Sequence, residues 1–159
     1  MYQFRITKYN PDFRDATGAF NRDQWTSYSD IGAVFDGVEL TEHEYLRAES
    51  SYITSAINLL RGSGITELTV SGFEQHEEFN ALKNGQVIPL DTIAEYFQGV
   101  LRESYWCRFE SNNGAFVHFG YDYCMYLGLP SNPGNSVASA LKLGLFVEPF
   151  ESPYSQSDV

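Results

Sequence analysis

The chain has 159 residues, 43% hydrophobic and 19% charged, with 21 Asp and Glu against 10 Lys and Arg. That size and balance fit one globular domain with a single sizeable core and exclude a disordered chain. A formal charge of -11 without any basic run excludes direct nucleic-acid binding, which needs a positively charged groove.

Tyr2 to Tyr9 alternates as an opening strand, with Tyr2, Phe4 and Ile6 on one face. Asn10 to Asp30 reads as a long loop, marked by Asn10-Pro11-Asp12 and Gly18, with Phe13, Phe20, Trp25 and Tyr28 as aromatic anchors. Thr41 and Glu44 have capping-box spacing and open the clearest helix. Its apolar stripe is Leu46, Ile53, Ile57 and Leu60, flanked by Tyr45, Tyr52 and Ala56, and Gly62 is its stop signal. Ile65 to Phe73 follows as a strand with Ile65, Leu68 and Val70 facing the core, and Glu74 to Asn84 is predicted as a short helix ending at Gly85.

Asp91 is the expected N-cap of a second helix whose buried face is Ile93, Phe97, Val100 and Leu101. Tyr105 to Ser111 and Ala115 to Leu127 read as strands joined at Asn112-Asn113-Gly114, because Asn-Gly suits a tight hairpin turn. A third helix runs from Asn135 or Ser136 to Leu143 and stops at Gly144, before a last strand, Leu145 to Glu151. The pattern predicts an α+β fold: one mixed or antiparallel sheet of about five strands, with about three helices packed mainly on one face. Residues 1–151 form the expected single domain, and the Ser- and Pro-bearing residues 152–159 a flexible tail.

No segment is long and apolar enough to span a membrane, and Met1-Tyr2-Gln3-Phe4-Arg5 lacks the order of a signal peptide. Two cysteines, Cys107 and Cys124, make no disulfide framework, so both are expected to be reduced in a cytoplasmic protein. With Asn113 and Gly114 as the turn, Phe109 faces His118 and Cys107 faces Gly120. Cys107, Phe109, Phe116, His118, Asp122 and Cys124 then share one face, and Trp106, Arg108, Glu110, Val117, Phe119, Tyr121, Tyr123 and Met125 the other. A Cys, a His and an Asp on one face suggest a thiol nucleophile or a metal. Their spacing matches neither a zinc signature nor a nucleophile elbow, and a buried thiol beside a hydrogen-bonded histidine accounts for them. Glu74, His76, Glu77 and Glu78 resemble a metal cluster in composition only. Gly62-Ser63-Gly64 lacks the spacing of a phosphate loop. No catalytic residue, metal or cofactor is assigned.

Three stretches carry a family resemblance: Trp25-Thr26-Ser27-Tyr28-Ser29-Asp30-Ile31-Gly32, Phe119 to Gly128 (FGYDYCMYLG), and Gly144 to Tyr154 (GLFVEPFESPY). They resemble small, acidic, single-domain bacterial proteins of the polymorphic-toxin immunity type. The resemblance implies a non-catalytic, stoichiometric inhibitor whose partner is a cognate toxin, in many cases a nuclease with a basic cleft, or another basic protein. The charge agrees with it. Residues 36–80 hold nine acids against Arg47 and Arg61, hence -7 of the -11. Acids at a rim would steer association, and aromatic anchors would supply affinity. The partner-binding candidates are Glu74, Glu77 and Glu78, followed by Trp106, Tyr121 and Tyr123. The same acids also serve as a solvated face that keeps a protein soluble. Two other functions fit the residues: a small-ligand or regulatory domain with an aromatic-lined pocket, and a hydrolase with spatially assembled carboxylates.

Overall fold

A computed structural model describes residues 1–75 and 82–155. In chain order the elements are β1 (Tyr2–Thr7), a small hairpin of β2 (Val34–Phe35) and β3 (Val38–Glu39), α1 (Glu42–Gly62), β4 (Glu67–Gln75), β5 (Val87–Pro89), α2 (Ala94–Leu101), β6 (Tyr105–Glu110), β7 (Phe116–Phe119), β8 (Met125–Leu129), α3 (Ser136–Lys142) and β9 (Phe146–Pro149). Seven strands pair antiparallel in the order β5-β4-β6-β7-β8-β1-β9. The expected α+β class holds, but the sheet is wider than the five strands predicted. One addition is β5, only three residues long. The other arises where the predicted strand Ala115–Leu127 breaks into β7 and β8, because Asp122 and Tyr123 both adopt the left-handed conformation (φ 56° and 62°). Asp is among the non-glycine residues that enter this conformation most readily, but Tyr123 gives no local sign of it.

Strand alternation gives the sheet two unlike faces. Leu68, Val70, Cys107, Phe109, Val117, Phe119, Met125 and Leu127 point to one, where they share a core with Tyr45, Tyr52, Leu59 and Leu60 of α1 and Phe97 and Val100 of α2. The other face carries Ser71, Arg108, Glu110, His118, Tyr126 and Arg5, which face one another across the register.

Thr41 caps α1 as expected, its hydroxyl accepting from the Glu44 N–H at 3.2 Å. The buried stripe is rotated from the predicted one. It runs through Tyr45, Glu49, Tyr52, Ala56 and Leu59–Leu60, and Leu46 is 41% exposed. The spacing of Tyr45, Glu49, Tyr52 and Ala56, alternating i+4 and i+3, is equally helical, and tertiary packing selected it. The stop is Gly64, not Gly62. Ile65 N–H donates to the Leu60 carbonyl and Gly64 N–H to that of Arg61, a Schellman turn that needs φ of +78° at Gly64. Gly62 serves packing instead, since a Cβ there would collide with the Ser136 hydroxyl of α3.

The other predicted helices need two adjustments. Asp91 does not cap α2, whose N-cap is Ile93 with no side-chain bond; its carboxylate pairs with Arg61 at 2.9 Å. The predicted face Ile93, Phe97, Val100 and Leu101 is buried. Where a helix was expected over Glu74–Asn84, Glu74 and Gln75 end β4 and Gly85 lies in a turn at φ +85°. Positions 76–81 of that prediction lie outside the described residues.

The β6–β7 hairpin has a three-residue loop, Asn112 to Gly114, closed by Ser111 N–H to the Ala115 carbonyl at 2.8 Å, with Gly114 at φ +91°. One more loop residue than expected shifts the register by one. Phe109 pairs with Val117 and Arg108 with His118. A shift of one exchanges the faces of β7 against β6. Cys107 therefore points into the core while His118 points to the opposite face, and the expected Cys107–His118 grouping does not form.

Candidate functional site

Three departures from regular backbone converge at one end of the second face. In β4, the steps from Ser71 to Glu74 pair with those from Arg108 to Trp106, so β4 carries one extra residue at a bulge. Gly72 sits there at φ +60°, and a Cβ would lie 3.1 Å from Arg108 Nε. Between α2 and β6, Glu103 is held at φ +62°. Between β7 and β8, the Gly120–Tyr123 turn contains the left-handed Asp122 and Tyr123. Left-handed non-glycine residues cost of order 1–3 kcal/mol each and gather at binding and switch sites. Three of the four found among the described residues border this place, the fourth being Asp36 in the β2–β3 turn.

These segments enclose a cleft of about 720 Å³ lined by Gly72, Glu74, Val100, Glu103, Tyr105, Trp106, Arg108, Phe119, Gly120, Tyr121 and Tyr154. Trp106 donates its indole N–H to the Phe119 carbonyl at 2.7 Å and packs against Tyr154, ring centres 5.4 Å apart. Gly120 permits that packing, because a Cβ would approach the Tyr126 ring to 2.9 Å and the Tyr154 hydroxyl to 3.2 Å. Arg108, 8% exposed, lies 3.4 Å from both the Glu110 carboxylate and the Tyr154 carbonyl. Tyr121 is 87% exposed at the mouth.

The start of the expected tail closes the cleft's other wall. Ser152 is buried, donating its N–H to Gln3 Oε1 and holding His118 Nδ1 through its hydroxyl at 2.7 Å. His118 stacks on Phe116 with ring centres 4.2 Å apart. Residues 152–155 are therefore seated on the sheet, and Tyr154 contributes to the site.

A buried polar network ties both rims to α1. The Glu49 carboxylate accepts from Arg102 Nε and Nη2, from Gln98 Nε2, each at 2.9 Å, and from the Tyr45 hydroxyl at 2.6 Å. Tyr45 bonds the Tyr123 hydroxyl at 2.8 Å. Arg102 precedes Glu103, and Tyr123 lies two residues past Tyr121, so the network holds each rim from behind. Burial works to raise the Glu49 pKa, and its hydrogen bonds from Arg102, Tyr45 and Gln98 outweigh it and hold the carboxyl below its ordinary value. Trp25 and Tyr28 pack on Tyr45, with Arg102 over the Tyr28 ring at 5.0 Å. Asp30 accepts from the Thr26 and Ser27 N–H groups. The Trp25–Gly32 stretch thus anchors its loop to this network.

Of the predicted contact residues, the structure brings Glu74, Trp106 and Tyr121 together around the cleft. Tyr123 does not join them: it is 5% exposed, turned into the core by its left-handed backbone. Glu77 and Glu78 lie outside the described residues. Glu49, counted among the acids of the charged segment, is buried and paired. Sequence reasoning missed Gly72, Glu103, Gly120 and Tyr154. An isolated glycine in a strand pattern is a bulge signal that marks Gly72; Glu103 and Tyr154 have no comparable signature.

Neither cysteine has the setting of a nucleophile. Burial pushes the Cys107 thiol up to about 12 and raises that of Cys124. Among the described residues no three His, Cys, Asp or Glu side chains are grouped to hold a metal, and no helix is long and apolar enough to cross a membrane. Comparison of the chain with protein-family models, with curated proteins and with solved structures finds no match.

Proposed function

We propose that this protein is a non-catalytic binding protein, an immunity-type inhibitor that neutralises a bacterial toxin by forming a stoichiometric complex. The observation that carries the reading is the cleft: aromatic walls and two exposed carboxylates, with left-handed backbone at Glu103 and at Asp122–Tyr123 backed by a buried network. Rigid aromatic anchors in a recess are the usual source of affinity at protein interfaces. A surrounding charge of -11 on the whole chain speeds capture of a basic partner and repels nucleic acid. A toxin with a basic active cleft, such as a nuclease, fits this complementarity, in a cytoplasmic setting where the toxin would act.

The test is co-expression with the product of the adjacent gene. The expected result is a 1:1 complex by light scattering and relief of growth inhibition. Failure of both would overturn the inhibitor reading. Recovery of the purified protein with a small metabolite in the cleft would favour the ligand-binding alternative, which rests on the cleft's volume and aromatic lining.

A further inference from the structure

We infer that the cleft is a receptor for a single arginine side chain of the partner, whose guanidinium meets the faces of Trp106 and Tyr121 while Glu74 and Glu103 take its charge. This rests on the inhibitor reading for the partner's identity, but the slot's chemistry follows from the lining alone.

Consider first the charges. Glu74 and Glu103 are both exposed, and neither has an ion-pair partner among the described residues. Among the described residues of the lining Arg108 is the one cation, and it lies 3.4 Å from the Glu110 carboxylate. Among the described residues the two glutamates are thus the lining's unpaired charges, and a cation is the guest that suits them. Next, the shape. The surfaces beside them are aromatic, and a guanidinium is the cation best suited to such walls, being flat, weakly hydrated and able to stack while its edge donates to carboxylates. An ammonium would keep its hydration shell and lose most of the stacking. Finally, the backbone. Glu103 sits in a left-handed residue, and Tyr121 leads into two more. Such conformations persist only where the surroundings over-determine them. Here the Glu49 network does so through Arg102 and Tyr123, holding the backbone beside Glu103 and Tyr121 before any partner arrives.

The experiment needs no toxin. The chain has two tryptophans, and only Trp106 lines the cleft, so its indole N–H resonance reports occupancy directly once assigned with Trp106→Phe. Uniformly ¹⁵N-labelled protein is titrated with Nα-acetyl-arginine methylamide, with the lysine analogue, and with the neutral citrulline analogue. A saturable shift is expected for arginine, a weaker response for lysine, and the weakest for citrulline. Glu74→Gln with Glu103→Gln should weaken arginine binding about fivefold, as loss of two exposed charge contacts implies. Equal response to citrulline, no saturation with arginine, or indifference to the double substitution would overturn the assignment. If arginine binds but no toxin complex forms, the slot stands and the inhibitor reading falls. If a toxin binds wild type and double variant alike, the reverse holds.

Discussion

Replacing Glu49 is the sharpest test of how the site is held. Its side chain is 4% exposed and accepts four hydrogen bonds, two of them from Arg102. Removing one partner of a buried ion pair costs roughly 3–5 kcal/mol when the other charge is stranded. Arg102 is 28% exposed and can recover water, so the lower end applies, and Glu49→Ala should cost about 3 kcal/mol at pH 7. The pH dependence has a definite sign. A carboxyl whose pKa is depressed by folding contributes stability above its unfolded value of about 4.3, and that contribution is lost as pH falls through the folded value. Glu49→Gln keeps the volume and removes the charge, so its deficit should be largest near neutrality and shrink below pH 4. Urea unfolding from pH 7 to pH 3, with equal m-values as the check on two-state behaviour, measures both effects. A deficit under about 0.5 kcal/mol at pH 7, or one that does not change with pH, would refute the network's role.

Three further outcomes are expected. Gly114→Val should destabilise the fold by about 1–2 kcal/mol, because a β-branched side chain is forced to φ +91°; an unchanged denaturation midpoint would place the turn elsewhere. Gly120→Ala should cost about 1–3 kcal/mol through overpacking against Tyr126 and Tyr154, and thermal unfolding identical to wild type would mean Tyr154 does not seat there. Under native conditions at pH 8, iodoacetamide should label Cys107 far more slowly than a free thiol, and Cys107→Ala with Cys124→Ala should leave partner binding intact; rapid labelling, or lost binding in a folded variant, would contradict their inert assignment.

What the sequence revealed follows from the range of the signal. Periodicity and caps placed the three helices, because Thr41, the 93–101 pattern and Gly144 act within a turn or two of themselves. Glycine identified the hairpin, but its register depended on whether the loop holds two residues or three, and that one residue moved His118 to the face opposite Cys107. The second face was harder. Trp106 and Tyr121 were recognisable as aromatic contact residues, whereas the cleft that groups them arises from a bulge at Gly72 and from left-handed Glu103, Asp122 and Tyr123. The left-handed Glu103 and Tyr123 are imposed by tertiary contacts such as Tyr123 to Tyr45, and a local reading carries no trace of them. For the same reason Glu49 looked like one more surface acid until α2 and its C-cap residue delivered Gln98 and Arg102 to it.

The central claim, that the cleft is the contact surface for a basic toxin, is tested most directly by stopped-flow association with the adjacent gene's product at two ionic strengths. Glu74→Lys with Glu103→Lys should slow association severalfold relative to wild type and flatten its salt dependence, since rim charges act on the encounter. Association rates and salt dependence identical to wild type would contradict it and move the contact away from this cleft.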